Sequence, residues 1–117
     1  MLKLKRVYEK AEASDGVRFL VERLWPRGIK KEELKMKAWL KEVAPSQSLR
    51  KWYGHDVAKW EEFQHRYRAE LEAHPDAWRP ILAATREGDV TLVYSARDME
   101  HNSALLLKQF LEEEMSQ

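Results

Sequence analysis

Apolar residues alternate with cations in Leu2-Lys3-Leu4-Lys5, the period of a strand with one buried face. Ser14-Asp15-Gly16 is a turn signal. Val17, Phe19 and Val21 then recur at period two with Arg18 and Glu22 between them, which predicts a second strand over residues 17–24. Trp25-Pro26-Arg27-Gly28 ends it, because Pro donates no ladder bond and Gly permits a sharp turn. Residues 30–43 admit two readings. Met36, Trp39, Leu40 and Val43 fit a helical stripe, and a short helix from Lys30 followed by irregular chain fits equally. Pro45-Ser46 closes this stretch and offers an N-cap for a short helix to Tyr53, with Gly54 as its C-terminal breaker.

The clearest helix follows. Asp56 is its expected cap, and Val57, Trp60, Phe63, Tyr67 and Leu71 share one face down to about Glu72. His74-Pro75 separates it from a helix expected to start near Asp76, since Pro80 is expected only in a first turn, and to end at Gly88. Val90, Leu92 and Tyr94 alternate with Thr91 and Val93 in a β-rich run that reads as a largely buried strand. After Ala96-Arg97-Asp98 a final helix turns Ser103, Leu106, Leu107, Phe110 and Leu111 inward. The order strand, strand, helices, strand, helix predicts one three-layer α/β domain over residues 1–117, with a small, mainly parallel sheet flanked by helices. In such folds ligands sit beyond the carboxyl ends of the strands.

Composition removes several chemistries. Cysteine is absent, which excludes disulfides, zinc–thiolate sites and thiol nucleophiles. No apolar stretch approaches the roughly 20 residues that span a bilayer, and Lys3, Lys5 and Arg6 interrupt any early signal-like run. A cytoplasmic protein without a membrane partner is expected. The net charge of +1 conceals an asymmetry. Residues 1–55 hold 14 Lys/Arg against 7 Asp/Glu, and residues 56–117 hold 7 against 13, a pattern that fits a basic face and equally two solvated faces that happen to differ.

Two polar clusters fall just past the expected strand ends. One is Arg23, Trp25, Pro26, Arg27 and Gly28; the other is Ser95, Arg97, Asp98, His101 and Asn102. If the strands are parallel neighbours, the clusters share a crevice holding up to three guanidinium groups. Guanidinium forks match phosphate or carboxylate oxygens, and the last helix adds backbone donors. The expected partner is therefore an anionic small molecule, such as a nucleotide, or nucleic acid. Asp98 and His101, spaced i, i+3, could form an acid–base pair for a metal-independent hydrolase or transferase, although capping of the helix also accounts for an Asp there. Lys51, in Arg50-Lys51-Trp52-Tyr53-Gly54-His55, adds a cation beside aromatic rings that could stack bases. A third possibility is an interaction module anchored by exposed Trp. Glu61, Glu62 and His65 lie on the polar side of their helix and read as solvated, so no metal site is expected. No Gly-rich phosphate loop is present, no cofactor is implied, and the pattern assigns no oligomeric state.

The blocks Glu22-Arg23-Leu24-Trp25-Pro26-Arg27-Gly28, Trp39-Leu40-Lys41-Glu42-Val43-Ala44-Pro45-Ser46, Leu49-Arg50-Lys51-Trp52-Tyr53-Gly54-His55, Trp60-x-x-Phe63-x-x-Arg66-Tyr67 and Leu92-Val93-Tyr94-Ser95-Ala96-Arg97-Asp98-x-x-His101-Asn102 occur in this order. Together they resemble the YeaO-like family of small bacterial proteins, which sits in a broader group of domains of unknown function. The resemblance implies a Rossmann-like α/β fold and no particular chemistry. More distant relatives carry a Cys in the turn corresponding to Ser95, and any thiol chemistry proposed for them cannot transfer to this chain.

Overall fold

Side-chain alternation decides how the sheet is covered. The computed structural model describes residues 1–117. Its strands are β1 (Leu2–Arg6), β2 (Val17–Leu20), β3 (Ala38–Trp39) and β4 (Val90–Tyr94), and its helices are α1 (Gln47–Tyr53), α2 (Trp60–Ala73), α3 (Pro75–Thr85) and α4 (Ser103–Met115). The sheet order is β1-β4-β2-β3, with every neighbouring pair parallel. Leu2 lies opposite Val90, and Val17 is also aligned with Val90 on the other side. The central strand β4 is buried along its whole length, as expected for a parallel strand between two others.

On one face Leu2, Phe19, Val21, Val90, Leu92 and Tyr94 join Phe63, Tyr67, Leu71, Trp78, Ile81, Leu107, Phe110 and Leu111 in the main core. Each fully buried large apolar side chain there contributes about 1.5–3 kcal/mol. On the other face the period-two partners are Val7, Leu20 and Val93, which pack with Leu34 against Trp25, Ile29, Met36 and Trp39. The helices share the main core, and the opposite layer is largely irregular chain from residues 22–37.

Nearer the amino ends of the strands this second face is ionic. Arg18 and Asp15 are buried, and their side chains pair at 2.5 Å. Lys5 reaches Asp15 and Glu12, each at 2.9 Å. Arg18 Nε donates to the Lys35 carbonyl at 2.7 Å, and Thr91 donates to the Asp15 carbonyl at 2.7 Å. Gly16, at φ +66°, lets this turn close on β4: an added Cβ would lie 2.1 Å from the Asp89 carbonyl oxygen.

Several local expectations hold. Ser46 accepts from the Leu49 amide at the start of α1, and Gly54 ends the helix in the left-handed region. Asp56 caps the 3-10 turn Val57–Lys59 that leads into α2. Others change. The stretch 30–43 contains no α-helix: Ala38 and Trp39 form an edge strand on β2, and Lys41–Val43 form a single 3-10 turn. Its apolar residues were ambiguous because they serve two faces, Met36 and Trp39 one core and Leu40 and Val43 the other. The second strand stops at Leu20, though the Val21 amide still donates to the Val93 carbonyl at 3.2 Å. Helix α3 begins at Pro75, which places Pro80 beyond the first turn. The amide that Pro80 lacks would have paired only with the carbonyl of Asp76, near the helix start.

Candidate functional site at the strand carboxyl ends

The three strands β1, β4 and β2 end side by side, and the turn after β4 is gripped from both neighbours. From β1, Arg6 donates through Nε to the Ala96 carbonyl at 2.9 Å and through Nη2 to the Ser95 carbonyl at 3.1 Å. From beyond β2, the Glu22 carboxylate accepts the Ser95 amide, and the Ser95 hydroxyl lies 2.9 and 2.7 Å from its two oxygens. The turns after β1 and β2 are tied as well, since the Tyr8 hydroxyl donates to the Arg27 carbonyl at 2.9 Å. Neither Arg6 nor Glu22 is among the residues that the sequence marks as candidates for the site. Their one visible signal was position: a charged residue at the end of a strand pattern.

The predicted site residues separate into groups. Arg23 serves the frame: Nε donates to the Pro45 carbonyl at 3.0 Å and Nη2 to the Ala44 carbonyl at 3.1 Å, with Glu42 3.9 Å from Nη1. Trp25 donates its indole N–H to the Ile29 carbonyl at 2.6 Å and meets Trp39 edge-on, ring centres 5.3 Å apart. Its ring belongs to the second core. Arg27 and Arg97 are exposed on the turns after adjacent strands, and neither enters an ion pair. Lys51 is exposed on α1, away from those turns in sequence. The neighbouring Trp52 already carries the Arg66 guanidinium at 4.1 Å and the Lys59 ammonium at 5.1 Å from its ring centre.

Asp98 and His101 do touch. Nδ1 of His101 lies 2.9 Å from Oδ2 of Asp98, and the imidazole meets the Trp60 indole edge-on at 5.2 Å. The other carboxylate oxygen accepts the amides of Glu100 and His101 at 2.9 and 3.0 Å. Those contacts, the Glu100 amide foremost, hold the Asp98 carboxyl below the usual carboxylate range. Nearby, burial first and then the charges of Asp98 and Asp56 push the Tyr53 phenol above its ordinary value. Asn102, not Asp98, is the N-cap of α4: its Oδ1 accepts from the Leu105 amide at 2.8 Å and its amide donates to the Asp98 carbonyl at 3.0 Å.

Elsewhere the polar motifs are structural or solvated. Glu62 pairs with Arg66 at 2.9 Å, His65 is exposed, and no group of three or more acids or histidines is placed to hold a metal ion. Trp78 is buried and the other four Trp are partly buried, so none stands out as an exposed anchor. No helix is long and apolar enough to cross a membrane.

A parallel sheet whose central strand runs into a clamped polar turn defines a small α/β protein. The family model described as "Inactive DUF488-N3 subclade" matches residues 1–117, and the chain belongs to that family. It is 43% identical over 110 residues to the uncharacterized protein YeaO of Escherichia coli (strain K12), covering 94% of this chain and 96% of that one. It is also 38% identical over 110 residues to an uncharacterized protein of Mycobacterium tuberculosis (strain ATCC 25618 / H37Rv), covering 94% and 92%. No solved structure matches the chain.

Proposed function

We propose that the chain is a binding module for an anionic, phosphate-bearing ligand, a nucleotide or a nucleic acid, held at the turns beyond the strand carboxyl ends. One observation carries this reading: Arg27 and Arg97 stand exposed on turns leaving adjacent strands, and no acid of the chain neutralises either. An exposed guanidinium without an internal partner keeps its fork of donors free for phosphate oxygens. Arg23 frames the site rather than facing the ligand, because carbonyls of the segment before α1 occupy its donors.

The test is binding of a labelled single-stranded oligonucleotide, and of AMP, over about 20–200 mM salt. Wild type is expected to bind with a steep salt dependence. R27A/R97A is expected to bind several-fold more weakly and with a shallower slope, by about 0.7 for each phosphate that is no longer neutralised. R79A removes a cation on α3 that pairs with Asp76 and should change neither property. Equal binding and equal slope for R27A/R97A and wild type would remove the proposal.

A second reading keeps the Asp98–His101 contact as an acid–base pair. Less supports it. The carboxylate already organises the backbone before α4, and the family's own description is of an inactive subclade. Under this reading D98N and H101A abolish any turnover found in a phosphoester or acyl-ester screen; under the binding reading no turnover is found to abolish.

A further inference from the structure

The Glu22 carboxylate has an unusual position for an acid. It is partly buried beside the central strand, and no cation of the chain pairs with it. Arg6 grips the same turn but faces the carbonyls of Ser95 and Ala96, and Arg23 is turned to the carbonyls of Ala44 and Pro45. What holds the carboxylate is a donor pair from one residue, the Ser95 amide and hydroxyl. An amide and a hydroxyl converging at the end of a parallel strand are the donors that a bound oxyanion uses in such a fold. Here the chain supplies the oxyanion itself.

We propose that Ser95 forms an oxyanion site that Glu22 holds shut, and that the carboxylate or phosphate of an incoming ligand takes the place of the Glu22 side chain. The inference rests on the reading of the strand-end turns as an anion site and adds its regulation. The ligand's charge would meet Arg97, two residues beyond Ser95, and Arg27, five beyond Glu22. Competition with a tethered carboxylate lowers apparent affinity by the fraction of chains in which the site is open. Glu22 and the two arginines therefore act in opposite directions. Removing Glu22 tightens anion binding, whereas removing Arg27 and Arg97 weakens it.

The experiment is chemical rescue of E22A, read by melting temperature and by the amide resonance of Ser95, with formate, acetate and inorganic phosphate as probes and chloride at matched ionic strength as reference. In chloride E22A should melt several degrees below wild type, and its Ser95 amide proton should move upfield. Formate or phosphate should recover at least half of the lost melting temperature and return the resonance downfield. Neither should do so in E22A/S95A. E22Q, which keeps the space filled, should respond to added anion less than E22A does. E22S supplies a second vacated background if E22A does not fold. Recovery no greater than chloride gives, or recovery that survives loss of the Ser95 hydroxyl with its amide resonance unmoved, overturns the proposal. That failure is separable from failure of the strand-end turns as a phosphate site, which the oligonucleotide affinity of R27A/R97A reads independently.

Discussion

Replacing Asp15 by Asn tests how the second face of the sheet is held together. The Asp15 side chain is only 5% exposed and lies against Arg18, at 7%, and Lys5, at 13%. Burial works to raise its pKa, but Lys5, the Glu12 amide and Arg18 together outweigh burial and bring it from 3.8 down to about 2. The carboxyl is thus held below its unfolded value. Its contribution is fully present above about pH 4 and is lost as pH falls through about 2. The shift is equivalent to about 2 kcal/mol at neutral pH. In D15N the Arg18 guanidinium stays buried without its counter-charge, and breaking a buried pair from one side costs about 3–5 kcal/mol. The two figures overlap, because both count the same attraction, so the expected loss is about 3–5 kcal/mol. Urea unfolding followed by Trp fluorescence measures it, at about pH 7 and again toward pH 2. Wild type should lose stability steeply over the acid range, and D15N should start lower and fall less. D89N is the control, since Asp89 is half exposed beside the chain's amino terminus and should matter far less. A D15N loss below about 1 kcal/mol at neutral pH, or an unchanged acid slope, would refute this account of the network.

Two further outcomes follow from the core. G16A should cost about 2 kcal/mol or more, since the added methyl group collides with the Asp89 carbonyl at a positive φ; faster hydrogen exchange at Val17, whose amide bonds that carbonyl at 3.0 Å, would locate the damage. Y67F removes a buried 2.7 Å bond from the Tyr67 hydroxyl to the Val43 carbonyl and should cost about 1–2 kcal/mol, seen as a melting point lower by roughly 4 °C per kcal/mol.

Local pattern was enough to determine much of this chain. Alternation marked β1, β2 and β4 because each buries one or both faces over several residues, and Ser46 and Gly54 bracketed α1 through capping chemistry that acts within a turn. The α/β class followed from the order of those elements. Strand β3 was not legible, because two paired residues are too few to carry a period and their neighbours serve opposite cores. The fate of the cations was equally hidden. The basic first half fitted a basic face, yet Lys5 and Arg18 are engaged inside an ion network, and Arg6 and Arg23 on backbone carbonyls. Arg27, joined by Arg97 from the second half, is left exposed at the strand ends. A charged residue reads the same in sequence whether it faces water or a carbonyl 22 positions away, as Arg23 does with Pro45. Only the parallel pairing of β1 and β2 with β4 could bring Arg6 and Glu22 to opposite sides of the Ser95 turn, because that meeting depends on strand order, a property of the whole fold and of no local stretch.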